Sequence, residues 1–275
     1  MIRIGYQRTV RRVLIGAASL VALWLLLVPL IAIVVQAFAQ GIQPFWASIT
    51  DLYTVKALLL TLLVAVITVP INLVFGVTLA WLITRFSFPG RRLLQTLIDI
   101  PFAVSPVIAG LLYLLLYGTN GWLGGWLAGH DIQLMFAWPG IVLVTLFVTC
   151  PFVAREVIPV MQVQGRLEEE AAVTLGANGW TLFFRITLPN IRLALLYGVV
   201  LTNARAIGEF GAVSIVSGAI RGETSTLPLQ VQQLYQDYNI VGAFASALIL
   251  ALLAVLTLLI KALLDRHAQP HTEGE

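Results

Sequence analysis

VLIGAASLVALWLLLVPLIAIVVQAF, residues 13–38, carries no charged side chain. A bilayer's hydrocarbon core asks for about 20 consecutive apolar residues in a helix, and this run exceeds that. Arg3, Arg8, Arg11 and Arg12 precede it, as in a secretory signal. The apolar part is far longer than the roughly 7–15 residues of a signal core, however, and no clean small-residue cleavage site follows. The stretch therefore reads as a retained first crossing, and the class of protein follows from it: all-α and integral to the membrane.

The rest of the chain agrees. Of 275 residues, 59% are hydrophobic and 11% charged, too few charges to cover a soluble domain, which usually carries about 25%. Five further segments have the length and apolarity to cross: Ala57–Thr84, Ile100–Tyr117, Pro139–Val157, Leu193–Val216 and Asn239–Leu264. The second crossing is long enough to tilt or to bend at Pro70. Ser105 and Pro106 introduce a local break in the third. Arg and Lys gather before the first crossing, after the second (Arg85, Arg91, Arg92), around the loop after the fourth (Arg155, Arg166, Arg185, Arg192) and at the end (Lys261, Arg266), whereas the alternate loops hold only Lys56 and Arg221. The positive-inside rule then puts both termini in the cytoplasm. The organisation expected is an N-terminal tail over 1–12, a membrane domain over 13–264 and a C-terminal tail over 265–275. The outward stretch Gly118–Ala137, with Trp122, Trp126 and neighbouring Trp138, has the texture of turns and an interfacial aromatic belt.

Much chemistry is excluded by composition. The single cysteine, Cys150, cannot form a disulfide within the chain, and only His130, His267 and His271 accompany it, so neither a metal centre nor a resident cofactor is expected. No predicted crossing contains a histidine, which argues against an intramembrane enzyme. A self-sufficient secondary transporter would need several deep carboxylates, and the crossings offer Glu209 and Asp99. No phosphate-binding loop of the GxxxxGK[ST] type occurs, so the chain is not itself an ATPase.

The informative polar segment is Val160–Arg192, with its core at 160–190; from Met161 it reads MQVQGRLEEEAAVTLGANGWTLFFRITLPNIR. The pattern predicts a short helix around Leu167–Leu175, a break at Gly176–Gly179 and a second short amphipathic helix bearing Trp180, Phe183, Phe184 and Ile186, closed by Pro189. Glu168, Glu169 and Glu170 complement the dipole at the start of the first helix. Ala171 and Ala172 form a small, smooth face, and Gly176 permits backbone geometry other residues resist. Composition alone does not separate a surface anchor from a docking element.

Spacing does. Glu170-Ala171-Ala172, three residues, Gly176, nine residues and Ile186-Thr187-Leu188-Pro189 matches without a gap the EAA signature of ABC importer permeases. That resemblance implies the type I importer permease fold, with this loop as the coupling helix that docks on a cytoplasmic ATPase. It carries the coupling role to Glu170, Ala171, Ala172, Gly176, Ile186, Leu188 and Pro189. Thr84–Arg91 (TRFSFPGR), Asp99–Gly110 (DIPFAVSPVIAG), Cys150–Arg155 (CPFVAR) and Ala204–Val213 (ARAIGEFGAV) resemble the sulfate, molybdate and tungstate group. Ala137–Gly140, Thr187–Arg192, Ser217–Thr224 and Gln236–Asn239 are most similar to the W-type permeases of sulfate/thiosulfate importers. The resemblance implies a bacterial cytoplasmic-membrane subunit working with a T-type sister permease, two copies of an ABC ATPase and an external sulfate- or thiosulfate-binding protein, with no nucleic acid involved. A molybdate or tungstate permease of the same architecture is the alternative.

Within the crossings, Arg205 and Glu209 share one helix face. Ionisable groups at membrane depth normally face a partner or an aqueous cavity, so the pair either braces the bundle or lines an anion path. Gly208, Gly211 and Ser105 join it as candidate path or gate residues, together with hydroxyl and amide donors at Thr202, Asn203, Ser214 and Ser217.

Overall fold

The computed structural model describes the backbone of residues 2–268 and the side-chain surroundings of residues 10–263. The side chains of Arg3, Arg8, Arg266 and His267, the residue His271 and the end of the expected 265–275 tail lie outside the described residues. Secondary structure among the described residues is entirely helical.

Helix α1 (Ile2–Ala37) runs without a break from the expected tail into the first crossing. Its apolar stretch Val10–Ala37 is almost wholly exposed, with Ala37 its buried residue, as suits a helix apolar on every side and bathed in lipid. After the short α2 (Ile42–Thr50), Asp51 opens α3 (Leu52–Arg85) by accepting hydrogen bonds from the Tyr53 and Thr54 amides at 3.0 and 3.3 Å. Pro70 lies inside α3 without interrupting it.

The third crossing, Ile100–Tyr117, is broken where Ser105 and Pro106 were expected to break it, and more sharply than a bend within one span. It is two helices, α4 (Arg91–Ala103) and α5 (Pro106–Tyr117), bent by 107°. Pro106 disfavours helical geometry at the residue before it, and both Val104 (φ −90°, ψ 132°) and Ser105 (φ −58°, ψ 135°) are extended. At about 1.5 Å per residue, α5 alone is too short to traverse a hydrocarbon core of about 30 Å.

A short turn of helix, α6 (Gly124–Ala128), lies in the Gly- and Trp-rich loop. The fourth crossing is α7 (Trp138–Thr149) and α8 (Pro151–Gln164), joined through a helical Cys150 into one span over 138–164. Then come α9 (Leu167–Thr174) and α10 (Gly179–Leu182), followed by a π turn (Phe183–Thr187) and α11 (Leu188–Ile207). The fifth crossing, expected to run unbroken over Leu193–Val216, stops at Ile207 and resumes as α12 (Gly211–Val216). The chain ends with α13 (Leu227–Gln236) and α14 (Ile240–Ala268), the second of which packs along α1.

Close approach of backbones organises the bundle, as expected where lipid removes the usual hydrophobic drive between helices. Gly76 of α3 and Gly198 of α11 both press on Val153 of α8. A Cβ at Gly76 would stand 2.6 Å from the Val153 Cβ, and one at Gly198 would stand 2.9 Å from its Cα. Val77, Ala80, Val157, Met161, Ile191 and Ala194 fill the space around this crossing point. A second close contact joins the two broken crossings: a Cβ at Gly110 of α5 would meet the Ala212 carbonyl of α12 at 2.7 Å. Four buried threonines are satisfied locally, the Thr61, Thr145, Thr149 and Thr202 hydroxyls donating to carbonyls four residues back. Asn72 donates to Thr149 Oγ1 at 2.7 Å, linking α3 to α7.

Candidate functional site

Two places gather the residues singled out in the sequence, one at each end of α11. At its start lies the polar loop. Helix α9 is bracketed by glycines in the left-handed region, Gly165 (φ +72°) and Gly176 (φ +86°). Asn178 then caps α10, its Oδ1 accepting from the Thr181 amide at 2.8 Å. The sequence reading expected a second helix closed by Pro189. Instead α10, the π turn and α11 form one continuous helical span, Gly179–Ile207. Proline lacks an amide hydrogen and crowds the carbonyl four residues back. The π turn widens the helix just there, the Leu188 amide reaching back to the Phe183 carbonyl, and so the helix absorbs Pro189.

The acidic triplet does more than complement a dipole. Glu169 Oε2 pairs with Arg85 Nε at 2.6 Å, with side chains only 12% and 10% exposed. Its Oε1 accepts from Thr187 Oγ1 at 2.9 Å. Glu168 accepts from Asn190 Nδ2 at 2.5 Å. Arg85 also donates to the Met161 carbonyl, Arg166 to the Thr84 carbonyl and Gln164 to the Asn190 carbonyl. Glu170, Ala171, Gly176 and Pro189 are exposed; Ala172, Ile186 and Leu188 are partly buried. Around them stand large apolar side chains turned outward: Leu167, Val173, Leu175, Trp180 and Phe184, of which Leu175 is 88% and Trp180 76% exposed. Trp180 and Phe184 stack with ring centroids 5.8 Å apart.

At the other end of α11 the helix breaks across Gly208-Glu209-Phe210. Glu209, 2% exposed, pairs with Arg205 Nη1 at 2.5 Å through Oε2, while its Oε1 accepts from the Ala212 amide at 2.9 Å. One carboxylate thus neutralises the last turn of α11's lone cation and caps α12. Gly211 packs against Pro106, where a Cβ would come within 3.1 Å. The structure therefore brings Arg205, Gly208, Glu209 and Gly211 together beside the elbow that begins at exposed Ser105.

Sequence reasoning missed three partners. Arg85 and Thr187 were read respectively as a topology charge and a motif spacer, and their joint engagement by Glu169 has no signature in local spacing. The third, Arg155 of α8, holds Asp99 of α4 through Nε at 2.9 Å and lies 4.2 Å above the Phe102 ring. Among the described residues no cluster of three potential metal ligands occurs.

Comparison with known proteins gives these two places a context. Residues 72–269 match the family described as binding-protein-dependent transport system inner membrane component. The sulfate transport system permease protein CysW of Escherichia coli K12 is 64% identical over 252 residues, 92% of this chain and 87% of that relative. CysW of Synechocystis is 51% identical over 98% of this chain and 99% of the relative. The sister-type permease CysT of E. coli K12 is 40% identical over 88% of each chain. A chain in the crystal structure of a bacterial alginate ABC transporter, in complex with its alginate pentasaccharide-bound periplasmic protein, has the same fold. Its TM-score is 0.76 at 19% identity, with 98% of each chain covered. The matched region contains both ends of α11, and the protein belongs to the binding-protein-dependent transport system inner membrane components: it is an ABC importer permease subunit, not an enzyme.

Proposed function

We propose that this chain is the W-type permease subunit of an ATP-driven sulfate/thiosulfate importer. The observation that carries the reading is 64% identity to a sulfate permease across 92% of the chain, extending through the polar loop and the broken helix. In this reading the 13–264 domain crosses the cytoplasmic membrane with both tails, 1–12 and 265–275, inside. The 160–190 loop is the coupling element: Glu170, Ala171, Ala172 and Gly176 present a small, open surface to the ATPase, while Leu175, Trp180 and Phe184 supply apolar anchors. Ile186, Leu188 and Pro189 carry the loop into span five. A T-type permease completes the path, two ATPase subunits drive it, and an external binding protein delivers the anion.

The path itself is assigned to the facing breaks of spans three and five. Broken helices at membrane depth persist where they line a cavity or are covered by protein. In this reading Ser105, Gly208 and Gly211 lie along that path. Arg205 is a third exposed and bound to Glu209, so it attracts a dianion without holding it tightly, which suits release.

The test is uptake of radiolabelled sulfate into proteoliposomes containing the four-component complex. ATP-dependent sulfate uptake, competed by thiosulfate and not by molybdate, is expected. Uptake without the ATPase, or preferential uptake of molybdate, overturns the proposal.

A further inference from the structure

We propose that Glu169 is the relay through which α9 moves the membrane helices, tying the docking element at once to span two and span five. The inference rests on the importer reading above. It starts from an asymmetry in how α9 is attached. No residue of α9 is fully buried, so packed side chains give it little purchase on the bundle. At both ends its backbone turns sharply away from the neighbouring helices, through Gly165 and Gly176 in the left-handed region that glycine enters freely. Motion imposed on α9 therefore reaches the bundle chiefly through its polar contacts.

Among those contacts Glu169 stands apart. Its two oxygens engage the cytoplasmic ends of two different crossings, Arg85 at the end of α3 and Thr187 where the π turn passes into α11. The pair is nearly shielded from solvent, so it is weakly screened and stiff compared with exposed ion pairs. Arg85 is in turn fixed to the Met161 carbonyl at the foot of α8. The same three helices meet higher up where Gly76 and Gly198 clasp Val153, so a displacement delivered at Glu169 enters a bundle too tightly packed to absorb it. Glu168, by contrast, is exposed and reaches only Asn190.

The experiment measures sulfate ions taken up per ATP hydrolysed by the reconstituted complex carrying E169Q, R85Q, T187V or the exchange R85E/E169R. The ratio should fall several-fold in E169Q and R85Q, fall less in T187V, and recover in the exchange. T187V keeps shape and the ion pair, so it reports even if the charge variants assemble poorly. An unchanged ratio in T187V and in whichever charge variant assembles overturns the relay. Spin labels at exposed Thr174 and Ser87 give a readout independent of the transported anion. Their separation should be the same with and without ATP in the wild type and should diverge in E169Q; a separation that shifts equally in both overturns the relay. Failure of the wild-type complex to take up sulfate bears on the proposed substrate, whereas the label distances still decide the relay.

Discussion

Removing the Glu209 carboxylate should be among the most damaging single changes available in the membrane domain. Glu209→Ala takes away the acceptor for the Ala212 amide, and loss of such a cap costs about 1 kcal/mol. It also leaves Arg205 unpaired at membrane depth. Stranding one member of a buried pair costs about 3–5 kcal/mol, but Arg205 is 32% exposed and recovers part of that by solvation. A total of about 3 kcal/mol follows, on the order of a hundredfold in the folded-to-unfolded ratio. Glu209→Gln keeps an oxygen for Ala212 and loses only the charge, so its cost should be about 1 kcal/mol smaller. Thermal unfolding of the purified permease pair, read beside sulfate uptake, separates the two variants. Equal stability of Glu209→Ala and wild type, with normal uptake, would refute the bracing and capping roles together. Equal damage by Ala and Gln would leave the charge as the only contributor and remove the cap.

Further expectations concern backbone, packing and surface. Gly176→Val should insert normally and lose ATP-driven uptake, because a β-branched residue resists φ +86° at a cost of about 1–2 kcal/mol. Gly176→Asn should retain most uptake, since no neighbour lies within 4 Å of the added Cβ; equal effects would exclude backbone strain. Gly198→Ala should destabilise by about 1–3 kcal/mol in thermal unfolding. Adding Val153→Ala should not restore it, because the contact is with the Val153 Cα. Arg155→Gln, at a half-exposed pair with Asp99, should change unfolding by no more than about 1 kcal/mol; a larger loss would mean that α4 depends on this contact to stay docked on α8.

What could be read in the sequence was whatever depends on composition over a helical length. The 13–38 run, the charge-poor crossings and the ungapped EAA spacing each announced themselves. Where hydropathy misled, it averaged across a local break. Ile100–Tyr117 is apolar throughout except near its start; Ser105 and Pro106 mark its break, but not that the chain folds there by 107°. Leu193–Val216 is interrupted because Gly208 ends one helix and Glu209 caps the next. Pro189 was expected to end a helix and does not, since a π turn accommodates it. Arg205 and Glu209 were found by their spacing of four; Arg85 and Glu169, 84 positions apart in the chain, have no spacing that points to one another.

The π turn at Phe183–Thr187 fixes an angle as well as sparing a proline. One additional residue in a helix of 3.6 per turn advances everything before it by about 100° relative to everything after. Trp180 and Phe184 therefore face the direction they do because of a phase offset written into five residues. Excising Arg185 from that turn would swing the aromatic face about a quarter of the way round the shaft, while leaving Trp180 and Phe184 chemically intact. The orientation of the exposed aromatic face is thus a property of helical register, adjustable independently of the side chains that form it.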